Sequence, residues 1–178
     1  TIGLLLVLMF ASPCRAQTTW HTNSGNGHEY AAIPAGSDWQ ATQQSAINLG
    51  GNLVTINDAV ENVWLRTTFA YTRFDWMWIG MHETDYNLRT WAWISGEPVT
   101  YTNWAPGEPS GPGAEHWVAM EGTRFWDGQW ADLRDTWPPS FGFVHIGVVE
   151  RSQTAQAVPE PASALLLISS VPVVLWIR

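Results

Sequence analysis

The chain has no lysine: all eight of its basic side chains are arginine, set against sixteen acidic ones, for a net charge of −8 over 178 residues. That balance excludes the basic face on which a nucleic-acid role depends. Cysteine is equally scarce. The single one, Cys14, sits in an apolar N-terminal stretch, so a domain processed beyond it carries no disulfide. Small exported domains commonly lean on disulfides, and here packing must do that work instead. Catalytic signatures are missing as well. There is no Gly-x-Ser-x-Gly, no phosphate loop and no reactive cysteine, and His21, His28, His82, His116 and His145 are scattered without metal-ligand spacing. The expectation is that the protein is not an enzyme. What the chain does have is tryptophan, 13 residues of it, within 46% hydrophobic and only 13% charged composition. Large rings bury much area each, which suits a small, loop-rich domain. The length is that of one domain plus appendages.

Both ends carry targeting patterns. Residues 2–10 are apolar and lead to Ser12, Pro13, Cys14 and a small Ala16 before Gln17. This is the h-region and cleavage site of a secretory signal peptide over residues 1–16, entered partway because no basic n-region precedes it. A buried N-terminal helix is the competing reading. At the other end, residues 151–157 form a polar linker. Pro159, Glu160 and Pro161 then precede a 16-residue apolar run (162–177) and the terminal Arg178. That run falls just short of the roughly 17–25 residues that span a bilayer. The pattern over residues 158–178 resembles the PEP-CTERM sorting signal of Gram-negative bacteria. The resemblance implies a bacterial protein, transiently anchored in the inner membrane through its tail, processed by exosortase and delivered to the cell surface or matrix. A plain single-span anchor is the alternative, and both place the domain outside the cytoplasm.

Between these ends, residues 17–150 read as one domain. Residues 30–33 form a strand. Ser37 and Asp38 cap a helix running to about Leu49, with Trp39, Thr42, Ala46 and Leu49 on one side, and Gly50 and Gly51 stop it. Residues 53–56 are a short strand. Asn57 and Asp58 open a second helix with Glu61 placed as in a capping box and Val60, Val63 and Trp64 as its apolar face. Strands follow at 74–81 and 91–94. Residues 96–113, rich in Gly and Pro, are loop. The last strands are expected at 115–120, 126–130 and 143–150.

This order predicts an α+β fold. Trp78-Ile79-Gly80, Asn103-Trp104, Gly107-Glu108-Pro109 and Gly128-x-Trp130-x-Asp132 follow one another at spacings that resemble a C-type lectin-like domain over residues 30–150. The resemblance implies two helices, short antiparallel sheets and a long irregular loop that binds calcium and, through it, a sugar. It also implies cysteines at positions filled here by Trp117 and Val149.

In that family the metal ligands are a Glu-Pro-Asn triplet, a later glutamate and an Asn-Asp pair. Carried over, these become Glu108, Ser110, Glu115 and Asp132, the candidate metal and ligand-binding residues. Ser110 and Ala131 stand where the family has asparagine, so both amides are lost while three carboxylates remain. Three carboxylates with backbone carbonyls and water hold calcium weakly, at roughly 10⁻⁴–10⁻³ M. His116 replaces an aspartate of the family's accessory site. Glu108 ahead of Pro109 implies mannose-type rather than galactose-type ligands. Trp104 and Trp130 flank the site as core residues, while Trp20, Trp126 and Trp137 are less constrained. An acid–base pair of Glu108 and Glu115, as in glycosidases, has no second motif behind it. The expected function is an exported recognition module that binds glycan or extracellular polysaccharide with calcium as the candidate cofactor. The alternative is a calcium-independent protein–protein adhesion module.

Overall fold

The structure, a computed structural model, describes residues 18–70, 76–111, 113–122, 127–134 and 144–152. The signal peptide, the sorting tail, most of the linker, Phe74, Trp126 and Trp137 lie outside them. Two helices pack on one mixed sheet. The elements are β1 (His21–Thr22), β2 (Glu29–Pro34), α1 (Trp39–Ile47), β3 (Asn52–Leu53), α2 (Ala59–Phe69), β4 (Trp76–Asp85), β5 (Thr90–Trp93), β6 (Trp117–Glu121), β7 (Trp130–Leu133) and β8 (Val144–Arg151). The α+β architecture is as expected. The sheet is one connected piece rather than several, in the order β1-β2-β8-β4-β6-β7, with β3 also paired to β8 and β5 to β4. All pairs are antiparallel except β4 with β8.

β4 is the centre. Met77 to Met81 are all buried, so the strand is continuously apolar rather than alternating, as a strand covered on both faces must be. Gly80 serves a close approach. A Cβ there would collide with the carbonyl oxygens of Leu53 and Val54, and its own N–H donates to Val54 O at 2.8 Å. Residues 54–56 are therefore buried beside β4 although the β3 ladder ends at Leu53, sooner than the expected strand.

Helix α1 begins where the cap predicts, with Asp38 accepting from Ala41 N. Its buried residues are Trp39, Thr42, Gln43 and Ala46. Trp39 stacks on Trp117 at 4.5 Å between centroids and donates its indole N–H to Ile79 O at 2.8 Å. Val149 packs with Ile33 and Ala46. The two positions at which cysteine was implied are thus both filled by apolar contacts.

Helix α2 corrects the expected face. Val60 and Val63 are exposed, at 78% and 51%, and the inward residues are Glu61, Asn62, Leu65 and Phe69. The reason is polar. Glu61 accepts from Tyr30 Oη at 2.6 Å, from Asn26 Nδ2 at 3.0 Å and from Asn57 N at 2.9 Å. Asn62 donates to Gly128 O and accepts from the Trp130 indole. Buried partners turn two hydrophilic side chains inward, which apolar periodicity cannot register. The capping box also shifts by one residue. Asp58 Oδ1 accepts from Glu61 N at 2.8 Å, but Glu61 reaches back to Asn57 N rather than to Asp58 N. Replacing Asp58 by Ala is expected to cost about 1 kcal/mol of stability, seen as a lower urea midpoint with unchanged slope.

The main core gathers Tyr30, Leu65, Phe69, Met77, Ile79, Trp93, Met120 and Trp130 among others. Trp130 is its hub, meeting Trp93, Tyr101 and Trp104 edge-on at 5.7, 5.7 and 6.0 Å. Trp104 is half-buried against this core. Trp20 is half-buried too, with the Arg151 guanidinium 3.7 Å above its ring. Among the described residues no helix is long and apolar enough to cross a membrane.

Candidate functional site

The candidate loop runs over residues 103–116 between β5 and β6. Its N-terminal end is pinned to β7: Trp130 N donates to Asn103 O, and Ala105 N donates to Trp130 O. The Glu108–Pro109 peptide is cis. Gly111 has φ +51, and a Cβ there would fall on the Glu115 carboxylate, so only glycine lets Glu115 fold back over the loop.

Three of the expected residues meet at one backbone amide. Ser110 N donates to Asp132 Oδ1 at 2.6 Å and to Glu108 Oε2 at 2.9 Å. Glu115 stands further off, with its Oε2 3.4 Å from Ser110 Oγ and its Oε1 4.0 Å from Arg134 Nε. Asp132 belongs to β7, opposite Val118. The strand starts at Trp130 rather than ending there, so Asp132 rides on a ladder and not on a corner. Ala131 beside it is buried and faces the other way. Burial, then the nearby Asp132 carboxylate, push the Glu108 carboxyl above its usual range, against the pull of Ser110.

The chief partner of Asp132 went unseen in the sequence. Arg89, at the end of the β4–β5 turn, donates through Nη2 to Asp132 Oδ2 and to Ser110 O, at 2.8 Å each. Its Nε lies 3.5 Å from Glu83 Oε1 on β4, and its guanidinium stands over Trp91 at 5.5 Å. The carboxylates of Glu83 and Asp132 are fully buried. Glu83 Oε2 also bonds His116 Nδ1 at 2.7 Å, and Tyr86 stacks on the His116 ring at 4.0 Å. Nothing in the pattern of residues 85–89 announces this. A lone arginine in a turn is ordinarily solvated, and only the fold of the hairpin brings it over the loop.

Calcium needs six to eight oxygens converging on one point. Both oxygens of Asp132 are taken, one by an amide and one by a guanidinium, and Glu115 is directed to Ser110 and Arg134. No group of three His, Cys, Asp or Glu side chains close enough to hold a metal occurs among the described residues. As arranged, the residues fit a guanidinium and do not fit a calcium ion.

Comparison with known proteins agrees with this framework. The family described as "Lectin C-type domain" matches residues 35–141. C-type mannose receptor 2 of Rattus norvegicus is 32% identical over 140 residues, which is 71% of this chain but 9% of the receptor. The low affinity immunoglobulin epsilon Fc receptor of Homo sapiens is 30% identical over 97 residues, covering 54% of this chain and 29% of that protein. The chain thus spans only a small part of these relatives' length. Among solved structures, the cow C-type carbohydrate-recognition domain of CD23, crystallised in the presence of a GlcNAc2Man3 oligosaccharide, aligns with a TM-score of 0.59 and 25% identity over 80% of this chain and 98% of that one. A calcium-independent type II antifreeze protein shares the fold, with a TM-score of 0.59, 22% identity, and 80% and 97% coverage.

Proposed function

Because the chain belongs to the C-type lectin domain family, we propose that it is an exported carbohydrate-recognition module whose ligand meets the 107–115 segment. The observation that carries this is the convergence of Glu108, Ser110 and Asp132 on one amide, with Glu115 folded over them. The segment offers acceptor-rich side chains, suited to sugar hydroxyl donors, and is tied to β7 through Asp132. Export rests on the residue 2–16 leader pattern, and surface delivery with tail processing on the sorting pattern at 158–178, which also makes a bacterial source the natural one. Work of this kind is binding. A single shallow site binds weakly, so clustering on a surface supplies avidity.

A glycan array probed with the residue 17–152 protein tests this directly. Binding to at least one glycan class is expected, weakened about tenfold in Glu115→Ala, the loss of about one charge-assisted hydrogen bond. Protein adhesion is the second reading, and one observation favours it. Tyr86 and Leu88, 57% and 72% exposed on the turn beside the loop, form an apolar rim. An array without hits, together with capture of a protein ligand that is lost in a Leu88→Ser variant, selects adhesion.

A further inference from the structure

We propose that Arg89 is the resident cation of this loop, tethered covalently at the place where the family resemblance implies a calcium ion. It is a positioning residue. One guanidinium ties three separate pieces of chain: Glu83 on β4, the Ser110 carbonyl in the middle of the loop, and Asp132 on β7. Glu83 carries the link onward to His116 at the loop's far end. The 110–116 segment is therefore held at both ends through one buried Glu83–Arg89–Asp132 line. Two carboxylates fully withdrawn from water require a compensating charge close by. Arg89 is hydrogen-bonded to Asp132 and stands at ion-pair distance, 3.5 Å, from Glu83, whose Oε1 has no hydrogen-bond partner.

The backbone is built for this placement. Asp85 Oδ1 accepts from Asn87 N at 2.8 Å and from Leu88 N at 3.1 Å, and Asp85 O accepts from Arg89 N at 2.8 Å. The turn so formed leaves Arg89 at φ 54. A non-glycine residue in that region costs about 1 kcal/mol or more and persists where surrounding contacts over-determine it. Here those contacts are the three oxygens around the guanidinium. Nη2 alone serves Ser110 O and Asp132 Oδ2 while Nε faces Glu83 Oε1 at 3.5 Å, so the guanidinium presents donors on two edges, which a single lysine ammonium does not reproduce. The consequence is a ligand loop ordered without metal, and recognition that survives chelation. The inference concerns what orders the loop and holds whether the ligand is glycan or protein.

The test uses the whole chain, as wild type, Arg89→Gln and Arg89→Lys, each with 5 mM calcium chloride or with chelator. Readouts are melting temperature, the rate of proteolytic cleavage within 107–116, and amide exchange at Ser110 and His116. In the wild type, exchange and melting are expected to be the same in calcium and chelator. Arg89→Gln should be cleaved at least tenfold faster in chelator, and calcium should restore protection, because Glu108, Glu115 and Asp132 are then free to turn toward a metal. Arg89→Lys should fall between the two. Should Arg89→Gln fail to fold, the wild-type exchange still decides. Fast Ser110 and His116 exchange in chelator that slows with calcium overturns the proposal, and so does an Arg89→Gln loop as resistant as the wild type. Glycan binding that vanishes in chelator refutes the Arg89 role while leaving carbohydrate recognition intact; an empty array with a calcium-indifferent loop does the reverse.

Discussion

Trp130→Ala is expected to lower stability by about 3–5 kcal/mol, the range for deleting a large aromatic from a core. Trp130 is 0% exposed. Three aromatic rings rest their edges or faces against it, and its indole N–H donates to Asn62 Oδ1 at 2.8 Å. Truncation opens a cavity that these rings, fixed by their own strands, fill poorly. It also strands a buried amide oxygen on α2. Total stabilities of domains run to about 5–15 kcal/mol, and no disulfide limits the unfolded chain here, so the variant is expected to be largely unfolded at 37 °C. Trp130→Phe separates the two components. It keeps most of the ring contact and loses the hydrogen bond, for about 1–3 kcal/mol. Urea denaturation followed by far-ultraviolet circular dichroism measures both. A midpoint for Trp130→Ala within error of the wild type would mean that the aromatic hub is not what holds the sheet to the loop.

Glu61→Ala is expected to cost about 2–3 kcal/mol, by leaving Asn57 N without its acceptor, Asn26 Nδ2 with Tyr30 Oη alone and the Tyr30 hydroxyl proton with only the Glu150 carboxylate. Tyr30, Glu61 and Glu150 form one buried chain from α2 to β8, closed by His28 at 2.6 Å and Thr55 N at 2.9 Å from Glu150. Burial pushes the Glu150 carboxyl above its ordinary value of 4.5, the His28, Thr55 and Tyr30 hydrogen bonds pull it back, and the Glu61 charge adds to the rise. Burial, with the Glu150 and Glu61 charges behind it, raises the Tyr30 phenol as well. A carboxyl whose folded value is raised contributes stability that is complete below its unfolded value and lost as the pH climbs through the folded one. Wild-type stability should therefore decline from pH 5 toward neutrality through Glu150. The decline should be shallower in Glu61→Ala, where one source of the rise is gone. Melts at pH 5 and pH 7.5 on both proteins supply the comparison. A steeper decline in the variant would mean that the two carboxylates do not feel each other.

The two helix starts were legible because a cap is local. Asp38 and Asp58 bind amides three residues ahead, and that pattern is written in neighbouring letters. β4 was legible because a continuous apolar run has few other places to go. The inner face of α2 was not. Its orientation is decided by Tyr30, Gly128 and Trp130, between 31 and 68 positions from their partners on the helix, and those partners are hydrophilic. The candidate site divides the same way. The loop residues Glu108, Ser110 and Glu115, together with Asp132, could be named from the family resemblance; three of them meet at one amide, and Glu115 stands further off. Arg89 and Glu83 could not, since their roles exist only once the β4–β5 hairpin has folded across β6 and β7. Motif spacing is blind to a residue that enters a site from a different hairpin.

The pairing of β8 has a mechanical corollary. This last strand is matched to β2 over six positions, from Glu29 with Arg151 to Pro34 with Ile146, is flanked in parallel by β4, and touches β3 as well. Inter-strand hydrogen bonds lie across the strand axis. Tension entering beyond Arg151 and directed along that axis strains many of these bonds together, in shear, instead of peeling them one at a time. A pull entering at this end would thus load a strand paired to three others at once.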